Sequence, residues 1–198
     1  MNREREYRSM ELRLAPSEGG EKSYIVEGYA ATFEPYVLFT RDGVDYSEKI
    51  MPDAFAETDM SDVVFRVDHT GPVYARTKAD TVELWIDQHG LGNKTYLSRT
   101  RKARELFEDI EAGNYPQMSF AFTVAEDHYD KATHTRIIDR IAKLYDISPV
   151  SFPANPGTEL SVSTRDYFDG VIEMEKAERL ERERREAQIK KIKILTEV

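Results

Sequence analysis

Three side chains in this sequence have the types that nucleophilic hydrolysis requires: a hydroxyl, an imidazole and a carboxylate. Ser119 interrupts the apolar run Met118-Ser119-Phe120-Ala121-Phe122, which reads as a buried β-strand carrying one hydroxyl. His69 closes the run Val63-Val64-Phe65-Arg66-Val67-Asp68-His69 and precedes Thr70-Gly71-Pro72, so it leaves a strand into a turn. There an imidazole is held firmly yet still reaches solvent, as a general base must. Asp146 lies inside Leu144-Tyr145-Asp146-Ile147, and a charge buried in such a stretch is costly unless it is paired. A serine hydroxyl is a poor nucleophile until an imidazole takes its proton, and a carboxylate fixes the imidazole's tautomer. The three types therefore suit the roles of nucleophile, base and orienting acid, in the chain order His, Ser, Asp. Each also has a plain structural use: Ser119 on the wetter face of a strand, His69 as a loop histidine, Asp146 as a cap on the Ser148-Pro149 turn.

Other arrangements fit less well. Ser148 and Ser151 flank Pro149 and Pro153 and have ordinary strand or turn roles. A metal-dependent hydrolase would draw on Asp68, His69, Asp87 and His89, but their spacing matches no H-E-x-x-H or comparable ligand pattern. If Asp68 and His69 lie on one strand, their side chains point to opposite faces. No G-x-S-x-G elbow occurs either, which sets aside the α/β-hydrolase arrangement.

The elements that must position these groups are mostly strands. Residues 24–33, 62–69, 81–87, 94–98, 118–124, 135–148 and 159–164 are rich in β-branched and aromatic residues. "YVLFT" and "VDYSEKI" flank Arg41-Asp42-Gly43, where the Asp-Gly pair predicts a tight hairpin. Met118 and Phe120 are expected to face away from Ser119 and anchor its strand in the core. Two helices interrupt the strands: a short one over 51–57, and one from Thr100 to Ala112 with Thr100 as N-cap and Gly113 as stop. Many strands with few helices predict an α+β, mainly β fold. Its core should be antiparallel and β-barrel-like, with a few peripheral helices. Residues 1–23 read as a flexible N-terminal arm, 24–164 as the catalytic domain, and 165–198 as a charged helical tail. Opposite charges three or four residues apart support that long helix. Its thin apolar stripes, Val171, Met174, Ala177 and Leu180, then Ile189, Ile192 and Leu195, suit a solvated or partner-binding helix rather than a core one.

Bulk properties narrow the function. A formal net charge of −9 argues against nucleic acid or an anionic membrane as the main partner. No cysteine is present, which removes disulfides and thiolate chemistry and fits a reducing compartment. No apolar run approaches bilayer length, and the charged start "MNREREYRSMELRL" does not read as a secretory signal. The cytoplasm is the expected location.

Five segments in order carry a family resemblance: "VEGYAATFEP", "SEKIMPDAFAET", "VVFRVDHTGPVYART", the stretch from "VELWIDQHG" to "NYPQMSFAFTV", and "LYDISPVSFPANPGTEL". Together they resemble the prohead maturation proteases of tailed double-stranded-DNA bacteriophages, a serine peptidase group related to the herpesvirus assembly proteases. Asp53 stands where that family usually has Gly. The resemblance puts the nucleophile on Ser119, the general base on His69 and the third member on Asp146, where the family more often has Glu. The herpesvirus enzymes use a second histidine there, which leaves His89, His128 and His134 as rivals. It also implies cleavage of the scaffolding segment of the major capsid protein, self-cleavage, homo-oligomerisation, no cofactor, and action inside the immature prohead in the host cytoplasm. The alternative from another class is a non-catalytic capsid-assembly protein that docks through its C-terminal helix.

Overall fold

The computed structural model describes residues 5–14, 23–151 and 162–196. The chain divides into two compact units, Met1–Ser161 and Val162–Val198. Among the described residues of the first unit, ten strands share one sheet: β1 (Glu6–Leu14), β2 (Ile25–Thr32), β3 (Tyr36–Arg41), β4 (Val44–Ile50), β5 (Val64–Arg66), β6 (Val73–Arg76), β7 (Val82–Ile86), β8 (Gly90–Tyr96), β9 (Gln117–Asp130) and β10 (Thr135–Val150). Their order is β3-β4-β10-β9-β1-β2-β8-β7, with β5 beside β10 and β6 beside β5.

The fold is mainly β, as the sequence predicts, but among the described residues no closed barrel is found: β3 and β7 end the path. Nor is the pairing wholly antiparallel. The long β10 takes β9 along one edge, and the other edge is shared by β4 at Thr135–Ile138 and β5 at Asp146–Ile147, both parallel to it. Hydrophobic patterning reports which face of a strand is buried and is silent on strand direction.

Local chemistry explains most elements. Asp42 and Gly43 both have positive φ (53° and 78°), the two left-handed residues that a type I′ hairpin between β3 and β4 needs. In α1 (Arg101–Glu111) the Thr100 hydroxyl accepts from the Ala103 N–H at 3.1 Å. Ala103, Leu106, Phe107 and Ile110 form its buried stripe, and Gly113 follows with φ 84°. The short helix expected over 51–57 is a 3-10 turn, Pro52–Phe55. The core gathers Phe33, Phe55, Phe65, Leu91, Leu97, Phe120, Phe122, Ile138, Leu144 and Ile147 among others, and the Phe120 and Phe122 rings stack at 4.7 Å.

Three further expectations need correction. The N-terminal arm contains an ordered strand: β1 pairs with β9 on one side and β2 on the other. Its Glu6 and Arg8 are buried because distant charges neutralise them, which a polarity pattern cannot show. The strand expected over 62–69 stops at Arg66, since Asp68 and His69 adopt left-handed backbone. Of the strand expected over 159–164, residues 159–161 lie outside the described residues, and Val162–Thr164 begin a helix.

That helix, α2 (Val162–Thr196), is the second unit's only described element. Glu–Arg and Glu–Lys pairs line it, including Glu181 with Arg185, and Met174, Leu180, Ile189 and Ile192 are exposed. Among the described residues no helix is long and apolar enough to cross a membrane.

Candidate active site

Strand alternation sets the stage. Met118, Phe120, Phe122 and Val124 of β9 point into the core, so Ser119 and Ala121 point to the opposite face. Across the antiparallel ladder Ser148 of β10 stands opposite Ser119, and Ile147 opposite Phe120. Continued regularly from the Leu144–Phe122 pair, the ladder would set Tyr145 against Ala121 and put Asp146 on the same face as Leu144. Instead the register shifts between Leu144, which faces Phe122, and Asp146, which faces Ala121. The extra residue, Tyr145, makes a β-bulge that turns Asp146 over to the face of Ser119 while Leu144 and Ile147 both stay in the core. A carboxylate within an apolar run is thereby delivered to a polar cluster.

His69 comes from the β5–β6 connection. Asp68 and His69 have φ of 47° and 56°, an uncommon pair for residues with side chains, costing of order 1–3 kcal/mol each. Surrounding bonds hold that shape. The Gly71 and Thr70 N–H groups donate to the Val67 carbonyl (2.9 and 3.3 Å), and the Arg66 guanidinium donates twice to the Gly71 carbonyl (3.0 and 2.7 Å). The Asp68 N–H donates to the Pro149 carbonyl at 3.1 Å, tying the loop to the end of β10.

The structure brings Ser119, His69 and Asp146 into one hydrogen-bonded chain. His69 Nδ1 lies 2.6 Å from Asp146 Oδ1, and His69 Nε2 lies 2.7 Å from Ser119 Oγ. A carboxylate only accepts, so Nδ1–H donates to Asp146, and in the neutral imidazole Nε2 then accepts the Ser119 proton. Ser119 and Asp146 are each 1% exposed, whereas the His69 side chain keeps 15% of its surface. The arrangement can strip a proton from Ser119 and hold the resulting imidazolium against a buried carboxylate.

The rival residues lie elsewhere. His128 meets Asp139, His134 meets the Tyr129 hydroxyl, and His89 packs on the Tyr29 ring. Asp87 closes the β7–β8 turn by accepting from the His89 N–H at 2.7 Å. Among the described residues no three acidic or histidine side chains cluster as metal ligands.

Two contributors escape a reading of residue types. The Ser148 hydroxyl donates to Asp146 Oδ1 at 2.7 Å. Ser151 donates its N–H (2.9 Å) and its hydroxyl (3.1 and 3.0 Å) to the Asp68 carboxylate. The signal for Ser148 is its two-residue spacing from Asp146, which places both side chains on one face of a strand.

The family model for the caudovirus prohead serine proteases matches residues 10–170. The chain belongs to that family. No curated protein and no solved structure matches it. As a prohead serine protease, the protein is a hydrolase of phage capsid maturation, and the prohead is the place of action that the family points to. The matched range takes in all three residues of the hydrogen-bonded chain.

Proposed function

We propose that this protein is a serine endopeptidase that cuts the scaffolding segment of the major capsid protein, and itself, within the immature prohead. The observation that carries the reading is the unbroken chain Asp146–His69–Ser119, with both links in hydrogen-bond range. Ser119 Oγ attacks the scissile carbonyl carbon as His69 Nε2 takes its proton. The imidazolium, held by Asp146, then protonates the leaving amine as the C–N bond breaks. Water, deprotonated by the same nitrogen, hydrolyses the acyl-serine and restores the hydroxyl.

In this reading α2 docks the enzyme to the scaffolding segment through its exposed apolar residues. Deleting residues 171–198 is expected to abolish packaging into proheads. Normal packaging of the truncated protein would remove the docking role.

The decisive test follows intact masses of the protein and the cognate capsid protein, produced together, for wild type, Ser119→Ala and His69→Ala. Shortened species in wild type and none in either variant are expected. Full-length capsid protein in correctly assembled wild-type shells would refute the protease reading and favour a non-catalytic assembly role.

A further inference from the structure

We propose that Ser148 is a positioning residue of this site: its hydroxyl fixes the carboxylate of Asp146, which in turn fixes His69. The proposal rests on reading Ser119 as the nucleophile. Ser148 is 0% exposed, and a buried hydroxyl needs a hydrogen-bond partner. The partner is the very oxygen, Asp146 Oδ1, that faces His69 Nδ1. One oxygen has two lone pairs, so an N–H from His69 at 2.6 Å and an O–H from Ser148 at 2.7 Å together saturate it. Rotating the carboxylate would break both bonds, and bonds to an ionised acceptor are among the stronger ones.

The backbone supports the same role. Ser148 precedes Pro149, which confines it to extended conformations, and it pairs directly with Ser119 across the ladder. Its side chain is thereby held on the face that carries both Ser119 and Asp146. A second nucleophile at Ser148 does not fit, because its proton is committed to Asp146 while His69 Nε2 faces Ser119.

The test compares the full-length wild type with Ser148→Ala, Ser148→Thr, Asp146→Asn and the double variant Ser148→Ala/Asp146→Asn. Two readouts are used. The first is the proton resonance of His69 Nδ1–H, which needs no turnover. The second is the rate at which a fluorophosphonate labels Ser119. Ser148→Ala is expected to move the resonance and slow labelling about ten-fold, the scale of one bond to a charged group. Ser148→Thr, which keeps the hydroxyl, should restore both. In the Asp146→Asn background Ser148→Ala should add less than about a two-fold change, since residues that act as a unit are non-additive. An unmoved resonance, or an equal loss in both backgrounds, would overturn the proposal. Failure of wild type to label would count against the nucleophile reading, and the resonance comparison would still decide the role of Ser148.

Discussion

Ser151 and Asp68, 83 residues apart in sequence, are joined by the Ser151 N–H and hydroxyl, both donated to the Asp68 carboxylate. With the Asp68 N–H on the Pro149 carbonyl, they clamp the loop that carries His69 onto the strand that carries Asp146. Two links of the proposed proton path thus share one mechanical joint.

Asp68→Ala removes the side-chain half of that joint and leaves the backbone bond. The site is exposed, so each lost hydrogen bond should cost only about 0.5–1.5 kcal/mol of stability. The expected effect is on His69: fluorophosphonate labelling of Ser119 should slow by roughly three- to ten-fold, as positional precision is lost. An unchanged labelling rate would mean the loop holds its shape without the clamp.

Gly71→Ala tests the same loop from inside. A Cβ at position 71 would stand 2.9 Å from the Val67 carbonyl oxygen, a backbone atom that cannot swing aside. Destabilisation of about 1–3 kcal/mol is expected, as for overpacking elsewhere. Urea unfolding reads it, and a midpoint equal to wild type would show that the turn relaxes freely.

Much of this was legible in the sequence, for identifiable reasons. Ser119 stood out because a hydroxyl broke an apolar strand, and α1 because Thr100, its stripe and Gly113 agreed with one another. What stayed hidden depended on distant partners or on a register. β1 looked like a polar arm because Glu6 and Arg8 are charged, yet they are neutralised by Arg136, 130 residues from Glu6, and by Glu48, 40 residues from Arg8. The bulge at Tyr145 left no residue signature, although it decides which face Asp146 occupies. β6 (Val73–Arg76) is too short and too close to Pro72 to register as a strand.

Acid should weaken the fold through exposed carboxylates held in their charged form. The Lys143 ammonium, 2.6 Å away, and then Ser61 hold the Asp59 carboxyl well below the usual carboxylate range. A depressed folded pKa gives stability that is present above the unfolded value, near 4, and lost as pH falls below it. Lys143→Ala is therefore expected to be less stable than wild type at pH 7, with the gap narrowing by pH 3. Urea midpoints for both proteins at the two pH values check this, and a gap independent of pH would exclude the linkage.

The buried ionic cluster offers the most severe test of how β1 supports the strand that carries Ser119. Glu48, 0% exposed, accepts from Arg8 Nε and Nη2 (2.6 and 2.7 Å), from Arg136 Nη1 (3.2 Å) and from the Tyr36 hydroxyl. Glu6 bridges the same two arginines, and Asp127 takes Arg136 Nε at 2.8 Å. Burial alone would lower the Arg8 pKa, but the Glu48 and Glu6 carboxylates outweigh it and hold the guanidinium firmly charged. Glu48→Gln keeps the shape and deletes the charge, so Arg8 and Arg136 lose a counter-ion where water cannot replace it. Breaking a buried pair in this way costs about 3–5 kcal/mol. Because β1 lies along β9 with Ser9 opposite Ser119, the loss should spread to β9. Faster amide exchange is expected along β1 and at Phe120 and Phe122, together with slower labelling of Ser119. Exchange confined to β1, with labelling at the wild-type rate, would show that β9 holds its serine without β1.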